Sequence, residues 1–448
     1  MDALTTPRGT PEEARLRRWQ VTTVAVLLVG YAGYYLCRSN LSVAAPMMLA
    51  ESSGLGLDRQ SFGLISSLGV FAYAIGKLVT GVLGDFLGGR RMFLVGLFGA
   101  VLASVVFGLG SGISLFVAAW ILNRFVQSGG WGGLVKVASA WFSPRVYGSI
   151  MGVLSLSFLF GDAAGRYFLG TLISRGFGWR AVFFIAAAVL AAIGLFAVLL
   201  LRSRPRDLGL PEPPVSPLSL FGPTGRPGPL GPPGDDERPA SVLDLLRPYA
   251  RSGSFWLVCA MSCGLTLIRE TLNTWIPVYL VDVHGVSVAS AAQYSALFPF
   301  VGGLSTLATG WASDRVGKGN RAAVAVPCLA LCAASLAGLA WASRAGALTP
   351  ALFLIGSVAF WLLGPYSLLA GAMAMDLGGR TGPATAAGLI DSAGYLGAVL
   401  SGFAFGRLVD VLGWATALRA LVLVAGLTLV AALAYWRLCK GAGLPEVS

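Results

Sequence analysis

The sequence predicts an all-α membrane protein: twelve transmembrane helices in two six-helix bundles related by pseudo-two-fold symmetry, with both termini cytoplasmic. Three observations predict it. The 448 residues are 56% hydrophobic and only 12% charged, with a mean hydropathy of +0.76, where a soluble chain carries roughly a quarter charged residues. The apolar residues fall into twelve runs, each approaching or exceeding the roughly 20 residues that cross a bilayer core. Landmarks in the first six runs return in the last six at nearly one offset. The composition excludes a soluble enzyme, a disordered chain and a disulfide-stapled secreted module. The excess of 32 Lys and Arg over 20 Asp and Glu belongs to cytoplasmic loops, and no nucleic-acid partner is expected.

The elements follow from the polar punctuation. The segment Met1–Gln20 is polar and holds Arg15, Arg17 and Arg18; the apolar run after it is too long for a cleaved signal. Expected helices then span 20–49; 62–84, ending in GDFLGGRR; 92–110; 114–139, after GSG; 147–173, after SPR; and 180–201, opened by FGWR. The second set spans 253–281; 289–312, ending in SDRVGKGNR; 321–343; 350–375; 383–409, after GGRTGP; and 415–437, after LGW. Between the sets, 11 of the 23 prolines fall from Ser203 to Pro239, a composition that packs no core of its own and reads as a flexible linker. The expected organisation is an N-terminal bundle over 1–201, a cytoplasmic linker over 202–252 and a C-terminal bundle over 253–448.

Basic residues orient the chain. With both termini inside, the cytoplasmic segments hold 20 of the assigned Lys and Arg against four outside (Arg59, Arg175, Arg180 and Arg344); without the linker's seven the balance is still 13 to four. The halves also repeat. GVLGDFLGGRRMF after the second helix matches GWASDRVGKGNRA after the eighth, with Asp85 and Asp314 separated by 229 positions. Arg38 and Arg269 are 231 apart, and Trp179 and Trp414, each entering the last helix of its half, are 235 apart. A duplicated transporter-like chain places its binding site near the midplane between the halves. The turns carrying Asp85, Arg90 and Arg91, and Asp314 and Arg315, read as gates or braces.

Arginine at a helix centre costs about 2.5–3.5 kcal/mol on insertion scales and has to face a partner, a cavity or a ligand. Arg38 and Arg269 each lie about 25 Å from the cytoplasmic end of their helix at 1.5 Å per residue. Facing each other across a central cavity, two guanidinium forks suit a phosphate group; the alternative is that each is neutralised by a structural acid. The other charges within the helices are Lys77, Arg124, Lys136 and Arg166 against Asp162, Glu270 and Asp391, so bases outnumber acids. Asp162 and Arg166, four apart, read as a mutual pair. Lys136 and Arg124 are expected to snorkel toward the cytoplasmic end, and Glu270, directly after Arg269, to point elsewhere. Tyr31 and Tyr35 share a face with Arg38, as site or as packing. The cysteine pairs Cys259/Cys263 and Cys328/Cys332 read as packing, since one His in the chain (His284, in an expected external loop) makes a metal site unexpected. No cofactor is implied.

These segments resemble the major facilitator superfamily, specifically its organophosphate:phosphate antiporter family of glycerol-3-phosphate, hexose-phosphate and phosphoglycerate transporters. The resemblance rests on GYAGYYLCRSNLSVAAPMM, AYAIGKLVTGVLGDFLGGRR, LNRFVQSGGWGGLVKVASAWFS, LIRETLNTWIPVYL and ATAAGLIDSAGYLGAVLSG. It implies that Arg38 and Arg269 bind the phosphoryl group, that Lys77 lines the same cavity, and that Tyr31, Tyr35, Gln127, Trp131 and Tyr395 occupy cavity positions. It implies a carrier that exchanges a phosphate ester for inorganic phosphate by alternating access; the expected setting is a monomer in a bacterial cytoplasmic membrane, with an endoplasmic or plastid membrane as the alternative. A phosphate-ester sensor of the same fold is the alternative. Two departures bear on the organic part of the substrate: Phe160, Gly161 and Asp162 stand where some relatives place a binding His, and Arg124 replaces a common Gly.

Overall fold

The computed structural model describes residues 10–50, 54–55, 57–222, 239–316 and 321–441; Arg8, Arg226, Arg238 and Lys318, counted above as cytoplasmic cations, lie outside the described residues. The N-terminal half comprises α1 (Pro11–Tyr34), α2 (Leu36–Met48), α3 (Arg59–Leu87), α4 (Gly89–Leu109), α5 (Ile113–Gln127), α6 (Gly129–Trp141), α7 (Tyr147–Ser174) and α8 (Trp179–Leu200). A short α9 (Val242–Arg251) precedes the C-terminal half. That half comprises α10 (Gly253–His284), α11 (Val288–Ser295), α12 (Leu297–Arg315), α13 (Ala322–Ala345), α14 (Leu348–Leu368), α15 (Ala374–Gly378), α16 (Pro383–Ala398) and α17 (Phe403–Gly441).

Among the described residues nine helical spans are long and apolar enough to cross a membrane. The expected spans outside that set are interrupted ones: α5 meets α6 at Ser128, α11 meets α12 at Ala296, and α16 runs into a tight turn at Val399–Ser401 before α17. Within α17, Gly413 (φ 75°) breaks the helix, between the eleventh and twelfth expected spans. A widened turn over Leu369–Met373 separates α14 from α15, a few residues past Pro365, which removes a helical donor. Large apolar side chains such as Leu102, Phe196, Trp341, Phe353 and Leu423 point outward exposed, a surface that only a lipid environment satisfies.

The halves meet where α3 packs on α16 and α7 on α12. Glycine makes the first contact close: a Cβ at Gly388 would overlap the Lys77 carbonyl, and one at Gly81 would sit 3.0 Å from the Ala384 carbonyl. The second contact is made the same way, by Gly310 against the Gly148 carbonyl. These approaches let side chains from opposite halves meet directly.

The segment after α8 departs from the expectation of a wholly flexible linker. Residues 202–222 pass from the N-terminal half, where Trp141 Nε1 donates to the Arg202 carbonyl (3.0 Å), to the C-terminal half, with Pro205, Leu210, Ser216 and Phe221 buried. Leu220 N–H donates to the Leu377 carbonyl (2.9 Å), Ser216 Oγ to Asp376 Oδ1 (3.1 Å) and Arg380 Nη1 to Glu212 Oε2 (2.7 Å). Tyr249 of α9 donates to the Gly382 carbonyl at 2.6 Å and stacks edge-on against Phe221. A proline-rich strand cannot build a core, but it can lie across one, its carbonyls and hydroxyls bonding to a neighbouring loop.

Candidate functional site

A cavity of about 560 Å³ lies between the halves, and both Arg38 and Arg269 line it. Arg38 opens α2, just past the α1–α2 break at Tyr35. Its Nε donates to Gln127 Oε1 (3.1 Å) and its Nη1 to Tyr35 Oη (3.2 Å), and the guanidinium stands 4.6 Å from the ring centres of both Tyr35 and Tyr73. Gln127 is fully buried and is itself fixed: its amide donates to the Cys37 carbonyl (3.2 Å) and to Asn123 Oδ1 (2.5 Å). It stands behind the arginine rather than on the cavity wall, which corrects its expected cavity position. Arg38 Nη2 is buried without a partner.

Arg269, on α10, lies over the Tyr366 ring at 4.4 Å, and its Nη2 pairs with Glu270. The expectation that Glu270 points away is therefore corrected: both side chains are long enough to fold toward the same cavity from adjacent positions. Arg269 Nε is buried and unpartnered. Lys77 Nζ lines the cavity but is bound to Asp391 Oδ2 at 2.5 Å, across the α3–α16 contact, with side chains 4% and 14% exposed. Arg166 Nε meets Asp162 Oδ2 at 2.9 Å as the spacing predicts, and Ser39 Oγ donates to Asp162 Oδ1 at 2.5 Å. Three lining cations thus have a carboxylate each, while Arg38 touches only neutral groups among the described residues. A cation so enclosed calls for an anion.

Aromatic side chains complete the walls. Tyr31, Tyr35, Trp131 and Tyr395 all line the cavity. Tyr31 stacks edge-on against Trp131 (5.2 Å) and Tyr395 against Tyr73 (5.6 Å). Trp131 Nε1 donates to the Ala370 carbonyl (2.9 Å), tying α6 to the other half. Arg124 does not snorkel: it lies in the last turn of α5, near the middle of the run that α5 and α6 form together, with its guanidinium 4.6 Å from the Tyr73 ring centre.

At the linker end, the halves exchange matching contacts. Asp85, closing α3, accepts from Ala384 N–H (3.3 Å) and Thr385 N–H (2.7 Å) in the first turn of α16. Asp314, closing α12, accepts from Gly148 N–H (2.8 Å) and Ser149 N–H (2.6 Å) in the first turn of α7. A carboxylate at a helix N-terminus satisfies orphan donors and meets the positive end of the dipole. The cations serving these carboxylates differ from the expected ones. Lys136 binds Asp85 (2.8 Å) instead of snorkelling, and buried Arg321 binds Asp314 and Asp376 (3.0 Å to the latter) while donating to the Pro144 carbonyl (2.7 Å). Arg90 instead donates to the Leu201 and Val198 carbonyls at the end of α8, Arg91 is exposed beside a second, smaller cavity, and Arg315 lies over Trp311. Gly88 (φ 90°) turns the chain sharply between α3 and α4, which sends Arg90 toward α8 and away from Asp85.

The sequence profile described as the Major Facilitator Superfamily matches residues 27–377. The chain belongs to that superfamily. The superfamily's relatives of this chain include a "Probable hexose phosphate transport protein" of Chlamydia pneumoniae, 28% identical over 94% of this chain and 92% of its own length. They also include the "Membrane sensor protein UhpC" of Escherichia coli K12, 26% identical over 93% and 91%, and the "Glycerol-3-phosphate transporter" of Bacillus subtilis, 27% over 90% and 89%. Among solved structures, the superfamily transporter FucP aligns over 93% of this chain and 99% of its own with a TM-score of 0.70 at 15% identity, which shows the shared fold. This chain is a multi-pass membrane transporter of the superfamily rather than an enzyme.

Three residues of this transporter's cavity escaped sequence reasoning. Tyr73 is the hub around which Arg38, Lys77 and Arg124 gather; it precedes Lys77 by four residues, a helical-neighbour signal available in the sequence. Ser155, a lining hydroxyl that is fully buried without a partner, precedes Asp162 by two helical turns, a similar signal, whereas Tyr366, under Arg269, carries none.

Proposed function

We propose that the chain exchanges an organic phosphate ester for inorganic phosphate by alternating access. On this reading twelve spans form two six-helix bundles, 1–201 and 253–448, joined by the cytoplasmic segment 202–252; both termini are cytoplasmic, and the protein works as a monomer in a bacterial cytoplasmic membrane. The observation that carries it is one partly buried arginine from each half, Arg38 and Arg269, lining a shared cavity with an unpartnered, buried N–H apiece. Relatives named for hexose phosphate and glycerol-3-phosphate transport support a phosphate ester as the ligand.

The chemistry follows from the charges. Without ligand, the Arg38 cation lacks a counter-ion, whereas Arg269 is paired with Glu270, and the halves stay apart at the arginines. A phosphoryl group accepts bonds from both, neutralises Arg38 and draws α2 and α10 together, closing the end remote from the linker. Returning without an anion would bury that cation uncompensated, so the loaded carrier crosses and the empty one does not; exchange results. The test is uptake of labelled phosphate into proteoliposomes with and without phosphate inside. Uptake that depends on internal phosphate is expected. Uptake indifferent to it would refute exchange.

The likeness to a membrane sensor keeps a second reading open to test, a phosphate-ester receptor of the same fold. Folded protein that binds a phosphate ester but catalyses no uptake would favour it.

A further inference from the structure

We infer that one face of α7 reads the organic part of the ester, with Ser155 as its hydroxyl-specific residue and Trp131 and Phe158 as its apolar wall. This rests on the phosphate-ester reading above. Ser155, Phe158, Leu159, Asp162 and Arg166 follow one another at helical spacing along α7, and all line the cavity. The stripe runs from the half-exposed Arg166–Asp162 pair, with side chains 53% and 36% exposed, down to Ser155, which is fully buried.

Ser155 is the anomaly that calls for a ligand. Serines within helices commonly bond back to a carbonyl one turn earlier, as Ser157, Ser367 and Ser392 do here. Ser155 Oγ has no partner at all, and buried hydroxyls are rarely left so. A ligand hydroxyl reaching the cavity floor would satisfy it.

Depth decides which ligand reaches it. Gln127, which holds the Arg38 guanidinium, lies about 21 Å from the linker end of α6, whereas Ser155 lies about 12 Å from the linker end of α7 at the helical rise. A phosphate held by Arg38 and Arg269 is therefore too far away to touch Ser155. An ester whose polyhydroxylated body extends toward the floor does touch it. Trp131 has its N–H committed to Ala370 and packs edge-on with Phe158 at 6.2 Å, so what it offers the cavity is ring surface, suited to the C–H face of a sugar. The ligand class is a sugar phosphate, with its phosphate at the arginines and its ring between Trp131 and Ser155.

Calorimetric titration of the purified full chain with glucose 6-phosphate and, separately, with inorganic phosphate tests this. Ser155→Ala is expected to weaken glucose 6-phosphate binding about fivefold to tenfold, the worth of one neutral hydrogen bond, and to leave phosphate binding unchanged; Ser155→Thr, which keeps the hydroxyl, restores the sugar phosphate. Equal weakening of both ligands, unchanged glucose 6-phosphate affinity in Ser155→Ala, or a wild type that binds glucose 6-phosphate no better than phosphate would overturn the inference. Failure of phosphate-dependent uptake in proteoliposomes strikes the exchange reading instead, because the titration needs no transport.

Discussion

Replacing Arg38 with lysine keeps the charge and removes the fork, so it separates geometry from electrostatics. The guanidinium now uses Nε on Gln127 and Nη1 on Tyr35, and it leaves Nη2 buried without a partner. One ammonium cannot serve Gln127 and a phosphate about a residue's reach apart. If it turns to the ligand, buried Gln127 Oε1 loses its donor at a cost of about 1–3 kcal/mol; if it stays, a charge-assisted bond to phosphate worth about 1.5–3 kcal/mol is lost. Either way a loss of about 1–3 kcal/mol follows, a rise of roughly fivefold to a hundredfold or more in half-saturating phosphate. The assay is phosphate self-exchange in proteoliposomes across a phosphate series, with a thermal melt to establish that the variant is folded. Arg124→Lys is the control: its guanidinium stacks on Tyr73 outside the lining, so its effect should stay within a few fold. A folded Arg38→Lys protein with exchange within threefold of wild type would refute the clamp.

Three other outcomes follow from the same geometry. Asp85→Asn weakens the cap on α16 and the Lys136 pair together, so cysteine labelling of the linker-end interface should rise, by about tenfold for a loss of 1–2 kcal/mol; unchanged labelling would argue against a gate there. Lys77→Met and Asp391→Leu should each destabilise by about 3–5 kcal/mol by stranding a buried charge, while the double substitution recovers much of the loss; additive losses in thermal melts would refute a coupled pair. Gly388→Ala should lower the melting temperature, because its methyl would overlap the Lys77 carbonyl across the α3–α16 contact, whereas Gly426→Ala, in open space on α17, should not.

How much of this was legible depended on whether the physics was local. The apolar runs, the proline-rich interruption and the breaks at Gly88 and Gly413 are local signals, and helices and turns fall where they point. Arg38 and Arg269 stood out because charge within an apolar run is expensive in any fold. Their partners were another matter. Lys136 seemed free to snorkel only because the sequence could not place Asp85 beside it, and Arg321 sits six residues past Arg315, the residue first associated with Asp314, yet it is the one that turns inward to Asp314. The packed half of the linker was illegible for a related reason: its buried Ser216 and Phe221 are held by the Asp376 loop and by α9, not by any pattern within the linker.

The two linker-end caps and the cavity share the same helices. The helix whose N-terminus Asp85 caps, α16, also carries Asp391 and Tyr395 into the cavity. The helix whose N-terminus Asp314 caps, α7, carries Ser155 and Asp162 there. The carboxylates are 229 positions apart and the amides they accept are 236 apart, Gly148 to Ala384 and Ser149 to Thr385, so the duplication has built the same cross-half cap twice. On the exchange reading proposed above, a ligand that draws the halves together at the arginines would act on α7 and α16, the two helices whose first turns meet these carboxylates. Each cap joins a carboxylate of one half to a single helix of the other, so separating the halves at the linker end requires both caps to break. The strand 202–222 adds to this: through Ser216, Asp376 and Arg321 it is joined to the same α7 entrance, so release there has to carry the strand with it.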